Sequence, residues 1–190
     1  MNNLKQTLTE KKYKIYTRPF ELNIIGVRSA SRTANAFDDT IHLWYNDDKD
    51  NEQCLSFSAT TDPGTVWLTK PMNTKGAAIL HAGQYQNAYQ LGMHRRKYLA
   101  LVQRGPVTVY RDDNRNSMLD PDERKTETGY FGINIHRAMQ RGKTTFVDRY
   151  SAGCQVFQSA EDFALFMRLC ERHRKAYGNQ FTYTLLEEGR

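Results

Sequence analysis

Residues 22–28 read LNIIGVR and residues 40–45 read TIHLWY, and these two apolar runs decide the fold class. Each run is short, rich in Ile, Leu, Val and aromatic residues, and bounded by polar turn-forming residues, which is the pattern of a β-strand. The same pattern recurs along most of the chain. It predicts further strands at residues 54–59, 65–69, 98–103, 107–111 and 130–136.

Turn signals separate these runs, as at residues 46–48 (NDD), 61–64 (TDPG) and 104–106 (RGP). No helical pattern lies between the early strands, whereas a parallel α/β sheet needs helical crossovers. The sequence therefore predicts a mainly β (α+β) protein whose strands form an antiparallel sandwich or barrel.

One helix is predicted near the C-terminus, over residues 160–177. Ser159 with the acidic residues that follow it matches a capping box, and Gly178 is placed to end the helix. Residues 181–186 then predict a short final strand. The apolar face of the helix consists of Phe163, Phe166, Met167 and Cys170.

The composition of the 190 residues is that of one globular domain spanning residues 1–190. With 39% apolar, 25% charged and 12% aromatic residues, it excludes disordered, collagen-like and coiled-coil chains. No apolar run approaches the roughly 18 residues of a membrane-spanning helix. Residues 1–12 are the only segment expected to be mobile.

The net charge is +6, with a pI of about 9.2, which makes a polyanionic partner plausible. Nucleic acid, an anionic membrane surface and an anionic cell-wall polymer all fit that charge. The first twenty residues lack the apolar run of a secretory signal. We therefore expect synthesis in the cytoplasm and, for any action at the wall or periplasm, release by another route.

Three cysteines are too few for a disulfide scaffold, and their spacing excludes a CxxC-type zinc site. Cys154 follows Gly153, and His136 stands upstream with fourteen residues between it and Ser151. A nearby imidazole can remove the proton of a thiol. A glycine lets the backbone turn sharply and direct amide N–H groups at a developing oxyanion.

This arrangement resembles the signature of the L,D-transpeptidase (YkuD-like) family. That signature is a histidine, about fourteen to seventeen residues, Ser/Thr-His-Gly-Cys, a hydrophobic residue, and Arg or Asn. The spacing, the serine, the glycine and the cysteine match over about twenty residues. Two sites depart from it, because Ala152 replaces the motif histidine and Gln155-Val156 replaces the last pair.

The resemblance implies a family-like β-sandwich or barrel with a C-terminal helix and short strand, and it assigns roles to five residues. Cys154 would be the nucleophile and His136 its general base, oriented by the backbone carbonyl of Arg137. Amides around Gly153 and Cys154 would hold the oxyanion, and Ser151 would fix the loop. The family acts on peptidoglycan stem peptides through a cysteine thioester that an amine or water resolves.

We therefore expect a wall-processing or phage-type lysis enzyme, with hydrolysis favoured over transpeptidation. Other interpretations stay open. A cysteine after a glycine in a β-protein is often a small buried apolar residue, so a non-catalytic, calcium-stabilised module that binds cell wall or another anionic polymer is an alternative. Nucleic-acid binding or cleavage is suggested by the net charge and by the neighbouring Asn134 and His136, but no recognised nucleic-acid motif supports it, and it is not expected.

Residues 112–123 (DDNRNSMLDPDE) follow the ligand schedule of an EF-hand calcium loop, although the flanks predict strands. Ser117 stands where such loops have glycine. An Asp/Asn-rich hairpin loop that caps its own amides is the alternative. A structural calcium ion is therefore one hypothesis, and no cofactor is expected for catalysis. The oxygen ligands would be Asp112, Asn114, Asn116, the Met118 carbonyl, Asp120 and Glu123.

Three other residues are predicted to have structural roles. Cys54 lies in an alternating strand and Cys170 on the apolar helix face, so both are expected to serve packing. His94 lies in the basic segment 93–98 (MHRRKY) and is expected in a solvated turn, with contact to an anionic wall polymer as the alternative.

Overall fold

The computed structural model describes residues 2–31 and 33–189, with the side chains of Asn2, Asn3 and Glu123 left out. The helices are α1 (Asn2–Glu10), α2 (Thr65–Thr69) and α3 (Ala160–Tyr177). The strands are β1 (Asn23–Arg28), β2 (Asp39–Asn46), β3 (Glu52–Thr60), β4 (Ala77–Leu80), β5 (Gly83–His94), β6 (Tyr98–Gln103), β7 (Val107–Asp112), β8 (Asp122–Gly129), β9 (Ile135–Arg137), β10 (Gln155–Phe157) and β11 (Phe181–Glu187).

Eight strands close into a barrel in the order β1-β11-β5-β6-β9-β10-β3-β2, and β4, β7 and β8 form a separate three-stranded sheet. Most neighbouring strands are antiparallel, but β1 pairs with β11, and β9 with β10, in parallel. The mainly β class with a C-terminal helix and final strand is confirmed. The second sheet was not predicted, and it matters because β4 packs against the site.

Helix α3 occupies the predicted residues. Ser159 Oγ accepts a hydrogen bond from the Asp162 N–H at 3.2 Å, so the N-cap forms as expected. Phe163, Phe166 and Cys170 are buried in the main core. The helix thereby covers apolar residues of the barrel.

The prediction of a strand at residues 65–69 was wrong, because this segment is the short helix α2. The Gly64 carbonyl accepts hydrogen bonds from the N–H groups of Trp67 and Leu68, which starts a helical turn. Leu68 is buried in a small core beside the second sheet, and the Trp67 indole donates to the Arg149 carbonyl. These tertiary contacts override the strand propensity of a short apolar run.

The predicted strand at residues 130–136 is also mostly absent, since β9 begins only at Ile135. Gly132 has a φ of +72°, which interrupts an extended chain. The N–H groups of Phe131 and Ile133 donate to Gln103 Oε1 rather than to a neighbouring strand. The irregular segment lies directly beside Cys154.

Residues 1–12, expected to be mobile, contain α1. Leu8 is buried in a small cluster with Ile25, Trp44 and Leu186. Lys5 also forms an ion pair with Glu52 on β3 at 2.7 Å. The N-terminal helix is thus packed on the barrel through a defined apolar contact.

A charged cluster, consisting of Arg28, Asp39, Asp62 and Glu187, is buried at the edge of the barrel. The Arg28 guanidinium lies 3.0 Å from Asp62 and 3.4 Å from Glu187. Asp39 accepts the N–H and the hydroxyl of Thr61 at 2.6 and 2.8 Å. Burial and the nearby Asp62 carboxylate raise the pKa of Asp39 to about 6.

Candidate active site

The turn at residues 151–154 is closed by hydrogen bonds from Ser151. Its hydroxyl donates to the Cys154 carbonyl at 2.8 Å and accepts the Gly153 N–H at 3.1 Å. Its own carbonyl accepts the Gly64 N–H at 2.9 Å, which ties the turn to the start of α2. Ser151 is fully buried and therefore fixes the backbone that carries the thiol.

Gly153 is required by the close approach of the second sheet. Its φ is +118°, and a Cβ built at this position would lie 2.1 Å from the carbonyl oxygen of Ala78 on β4. No L-residue with a side chain fits both conditions. The glycine of the motif thus lets the turn pack directly on β4.

Cys154 is half-buried and lines an open cleft of about 450 Å³. Its Sγ lies 3.5 Å from the Asn134 N–H and 3.5 Å from the Gly132 carbonyl. Burial raises the pKa of the Cys154 thiol, and the Asn134 N–H opposes that shift only in part. The sulfur therefore rests as a thiol at neutral pH and needs a base before it can attack.

His136 is held in one tautomer by its backbone neighbour. Its Nδ1 lies 2.9 Å from the Arg137 carbonyl oxygen, the contact that the family resemblance implies. A carbonyl can only accept, so Nδ1 carries the proton and Nε2 keeps its lone pair. Burial, with the adjacent His94, lowers the pKa of His136 to about 3, and the ring is neutral at pH 7.

His94 is a site residue that the sequence did not reveal. It is buried, not solvated, and its ring stacks on His136 with 4.2 Å between centroids. Its Nδ1 lies 3.1 Å from Asn134 Nδ2. Because Asn134 Oδ1 accepts the Gln103 N–H at 2.9 Å, the Asn134 amide must donate to His94. Burial lowers the pKa of His94 to about 4.

The expected solvated turn begins one residue later. Strand β5 ends at His94, and the hairpin closes through the Lys97 N–H donating to the His94 carbonyl at 2.9 Å. Arg95 and Arg96 adopt positive φ without any glycine. A basic segment with no turn-forming residue gives no signal for where its strand ends.

Strand β9 carries His136, and Cys154 directly precedes the neighbouring strand β10. Their parallel register pairs His136 with Val156, and the Gln155 N–H donates to the Asn134 carbonyl at 2.9 Å. Cys154 precedes β10 just as Asn134 precedes β9, so the thiol and the amide meet. We call His94, Asn134, His136 and Cys154 the uncharged cluster.

Arg137 contributes its backbone to this cluster, and its side chain packs elsewhere. The Tyr98 hydroxyl donates to the Arg137 carbonyl at 3.2 Å, beside His136 Nδ1. The Arg137 guanidinium lies over the Tyr98 ring, 4.4 Å from its centroid. Tyr98 therefore supports the carbonyl that orients the imidazole.

One oxyanion contact expected from the resemblance is wrong. The Gly153 N–H donates to Ser151 Oγ and is not free to bind a developing oxyanion. For the Cys154 N–H, no acceptor is present among residues 2–31 and 33–189. Only the second of the two expected amides is available.

The positions that depart from the family signature fall into two groups. Ala152 lines the cleft, so the missing motif histidine leaves open space beside the thiol. Gln155 and Val156 are fully buried. Gln155 Nε2 donates to the carbonyl of Gly153, and its Oε1 accepts the Tyr183 hydroxyl at 2.8 Å. Gln155 thus supports the turn and does not face a substrate.

The cleft walls combine aromatic, apolar and basic side chains. Tyr130 and Met72 are 70% and 74% exposed, and Trp67 lies on α2. Arg95 supplies positive charge on the same cleft, whereas Arg111 is buried there and paired with Glu127 at 2.8 Å. Such a surface suits an extended ligand with carboxylate groups.

The predicted calcium ligands lie outside this cleft, between β7 and β8. Asp112 ends β7, and Asn114, Asn116, Met118 and Asp120 follow in the loop. The side chain of Glu123 lies outside the described residues. Across the part of the chain that the structure describes, no three His, Cys, Asp or Glu side chains are grouped to hold a metal.

The two remaining cysteines are separate from the cleft. Cys54 is half-buried on β3, and Cys170 is fully buried on α3. Burial raises the pKa of both thiols. Neither side chain lines the cleft that Cys154 shares with His94.

None of the helices within residues 2–31 and 33–189 has the length and apolar character needed to cross a membrane. Comparisons of the chain with protein-family models, with curated proteins and with solved structures found no match.

Proposed function

We propose that this barrel is a divergent L,D-transpeptidase-like domain that transfers acyl groups of peptidoglycan stem peptides through a thioester on Cys154. The observation that carries the proposal is a thiol on an open cleft, next to the strand neighbouring β9, where a neutral imidazole has its Nδ1 already bound. That tautomer leaves His136 Nε2 as the proton acceptor that the thiol requires.

The proposed reaction uses the chain's own groups throughout. His136 Nε2 takes the thiol proton as Sγ attacks the carbonyl carbon at the L-centre of a diamino acid. The Cys154 N–H stabilises the resulting oxyanion. The C–N bond then breaks, and the departing amine of the D-residue takes the proton from His136. Water, or an acceptor amine, attacks the thioester and restores the thiol.

The low pKa of His136 and the raised pKa of Cys154 favour a neutral resting pair over a thiolate–imidazolium pair. Proton transfer then accompanies attack, which is general-base catalysis. Such a site stays protonated until a substrate carbonyl is bound. This suits slow, selective acyl transfer more than non-specific thiol reactivity.

The substrate class is supported by the charge and size of the cleft. A stem peptide is a short chain with several carboxylates, and Arg95 lines the cleft. The net charge of +6 also favours approach to an anionic wall. Of the two outcomes, we favour hydrolysis, as in wall processing or lysis.

A non-catalytic module that binds cell wall is the second candidate. It is favoured by one observation, that His94 lines the cleft whereas His136 is 4% exposed and is not among the described lining residues. In that case the histidine pair would only support the fold. Turnover separates the two candidates, because a binding module retains wall fragments without changing them.

The test is mass spectrometry of defined tetrapeptide and pentapeptide muropeptides incubated with the protein. We expect cleaved or exchanged products, with activity lost in Cys154→Ala and reduced about 10²–10⁴-fold in His136→Ala. Cys54→Ala is the matched control, since that half-buried thiol is remote from the cleft and its loss is expected to leave turnover unchanged. Undiminished turnover in Cys154→Ala would overturn the proposal.

Binding of the same muropeptides without any product would favour the binding module. Trapping the thioester by its mass on the intact wild-type protein, and its absence in Cys154→Ala, would place the covalent step on this sulfur. Formation of the muropeptide thioester on the Cys154→Ala variant at the same rate as on wild type would show that another thiol reacts.

A further inference from the structure

Asp112, at the end of β7, carries a buried carboxylate oxygen without a partner. The residue is 1% exposed, and its Oδ2 accepts the Asp120 N–H at 3.3 Å. Oδ1 has no hydrogen-bond partner among the described residues. Buried polar atoms are nearly always satisfied, and an exception points to a missing water or ion.

Oxygen-bearing side chains surround this position on the loop. Asn114 and Asn116 donate their amide N–H groups to the Asp120 carboxylate, at 2.7 and 3.0 Å. Their Oδ1 atoms accept backbone N–H groups two residues further on. Hydrogen bonds thus connect residues 112, 114, 116 and 120 of the loop. The Asp120 carboxylate faces the same loop as Asp112.

The loop backbone suits the wrapping of a cation. Ser117, at the position where calcium loops have glycine, adopts a φ of +71°. Leu119 is buried and packs with Ile79 and Tyr110 of the second sheet. It therefore fixes one end of the loop while the polar residues before it remain exposed.

We propose that residues 112–120 bind one calcium ion, with Asp112 and Asp120 supplying the negative charge. The amide oxygens of Asn114 and Asn116 and the Met118 carbonyl would complete an all-oxygen shell, which is the chemistry that calcium prefers. Only two carboxylates are needed, so the absence of a group of three acidic side chains does not argue against the site. Calcium fits better than magnesium because a flexible loop with many neutral oxygens suits its larger coordination number.

The position of the loop gives the ion a role beyond its own ligands. Asp112 pairs with Ala77, and Arg111 pairs with Ala78, in the β4–β7 register. Ala77, Ala78 and Arg111 all line the cleft, and Arg111 donates to the Gly76 carbonyl at 3.2 Å. A bound ion would therefore hold the wall of the cleft against which Gly153 packs. The site itself stands whether or not the cleft is catalytic.

The test is calorimetric titration of the chelator-treated full chain with calcium chloride, and separately with magnesium chloride. We expect one calcium site per chain, with at least tenfold weaker binding in Asp112→Asn and in Asp120→Asn. Asp113→Asn is the matched control, because this neighbouring carboxylate pairs with Lys125 and is off the ligand schedule. Its calcium affinity is expected to stay within about twofold of wild type.

Because Asp112 is buried, Asp112→Asn could fail to fold, and circular dichroism checks this. The exposed Asp120 then decides, since Asp120→Asn removes a ligand charge without disturbing the core. Absence of binding at millimolar calcium, equal affinity for magnesium, or equal weakening by Asp113→Asn would each overturn the proposal. A melting temperature indifferent to calcium and chelator would do so as well. None of these readouts uses turnover, so they are independent of the proposed enzyme activity.

Discussion

The charged cluster around Arg28 and the uncharged cluster around His136 both place polar groups in the interior of one barrel. The two clusters replace the lost hydration of those groups in different ways. In the charged cluster, the Arg28 guanidinium lies among three carboxylates, and the Thr61 hydroxyl links Arg28 to Asp39. In the second, two imidazoles, an amide and a thiol carry no net charge at pH 7.

Access to solvent space also separates the two clusters. Arg28, Asp62 and Glu187 border a void of only about 20 Å³, whereas Cys154 and His94 line the cleft of about 450 Å³. Arg28 and Asp39 are buried, and ion pairs among buried groups have a structural role, because removing one member leaves a buried charge uncompensated. Neutral groups with mobile protons beside an open cleft can exchange a proton with a ligand. The difference supports our proposal that the uncharged cluster carries the chemistry.

The largest effect is expected from breaking the charged cluster. Arg28→Met removes the guanidinium that lies among the carboxylates of Asp39, Asp62 and Glu187. We expect the free energy of unfolding to fall by about 3–5 kcal/mol, measured by urea denaturation.

Arg124→Met is the control for this substitution. Its side chain is 90% exposed and pairs with Asp122 at the surface, so we expect a loss below about 1 kcal/mol. Similar losses of unfolding free energy in both variants would mean that the buried ion pairs stabilise the fold no more than a surface ion pair does. The comparison between the two clusters would then fail on stability.

An intermediate effect is expected from the titration of His136. Its folded pKa of about 3 lies below the unfolded value of 6.5, so the folded state binds fewer protons between these values. The stability that depends on neutral His136 is complete above 6.5 and is lost as the pH falls towards 3. By about pH 4.5 the loss in the free energy of unfolding reaches about 2–3 kcal/mol.

Urea denaturation of wild type and His136→Gln across this range measures the effect. The stability difference between the two proteins is expected to shrink on acidification, because only the wild type has the imidazole to protonate. Asp39 acts in the opposite direction, since its raised folded pKa costs stability as pH increases from 3.8 through about 6. It is present in both proteins, so it cancels from the difference. A pH-independent difference would contradict the buried neutral imidazole.

The smallest effect is expected from His94, which contacts the general base but receives no proton in the proposed reaction. His94→Ala removes the ring stacked on His136, and we expect kcat/KM for muropeptide cleavage to fall about tenfold. His42→Ala on β2 is the control and is expected to leave turnover unchanged, since that ring bonds Ser56 away from the cleft. A loss in His94→Ala as large as in His136→Ala would assign the base to His94.

The elements that the sequence predicted well are those whose pattern is local. Strands β2, β3, β6 and β7 and helix α3 carry apolar runs or caps that suffice without knowledge of their neighbours. Strand β8 was missed because its sequence, DERKTETG, has no apolar alternation. It forms through backbone hydrogen bonds to β7 at the edge of the second sheet, which side-chain patterns do not report.

The candidate site was predictable only where its residues are close in sequence or share a motif. Cys154, Ser151 and Gly153 fall in one turn, and His136 lies on the strand next to it. His94 comes from a distant hairpin and reaches His136 only through the barrel. The loss of the Gly153 amide to Ser151 depends on backbone geometry that the sequence does not encode locally.

The parallel pairing of β1 with β11 sets when this barrel can form. Strand β1 pairs early with β2, but Ile24 is also aligned with Tyr183, so the other edge of β1 finds its partner only after β11 has been synthesised. During translation β1 has an open edge, and contacts of such high sequence separation form slowly. Cys154 therefore leaves the ribosome before the barrel that orients it can close, and the thiol becomes part of an ordered cleft only after β11 has emerged.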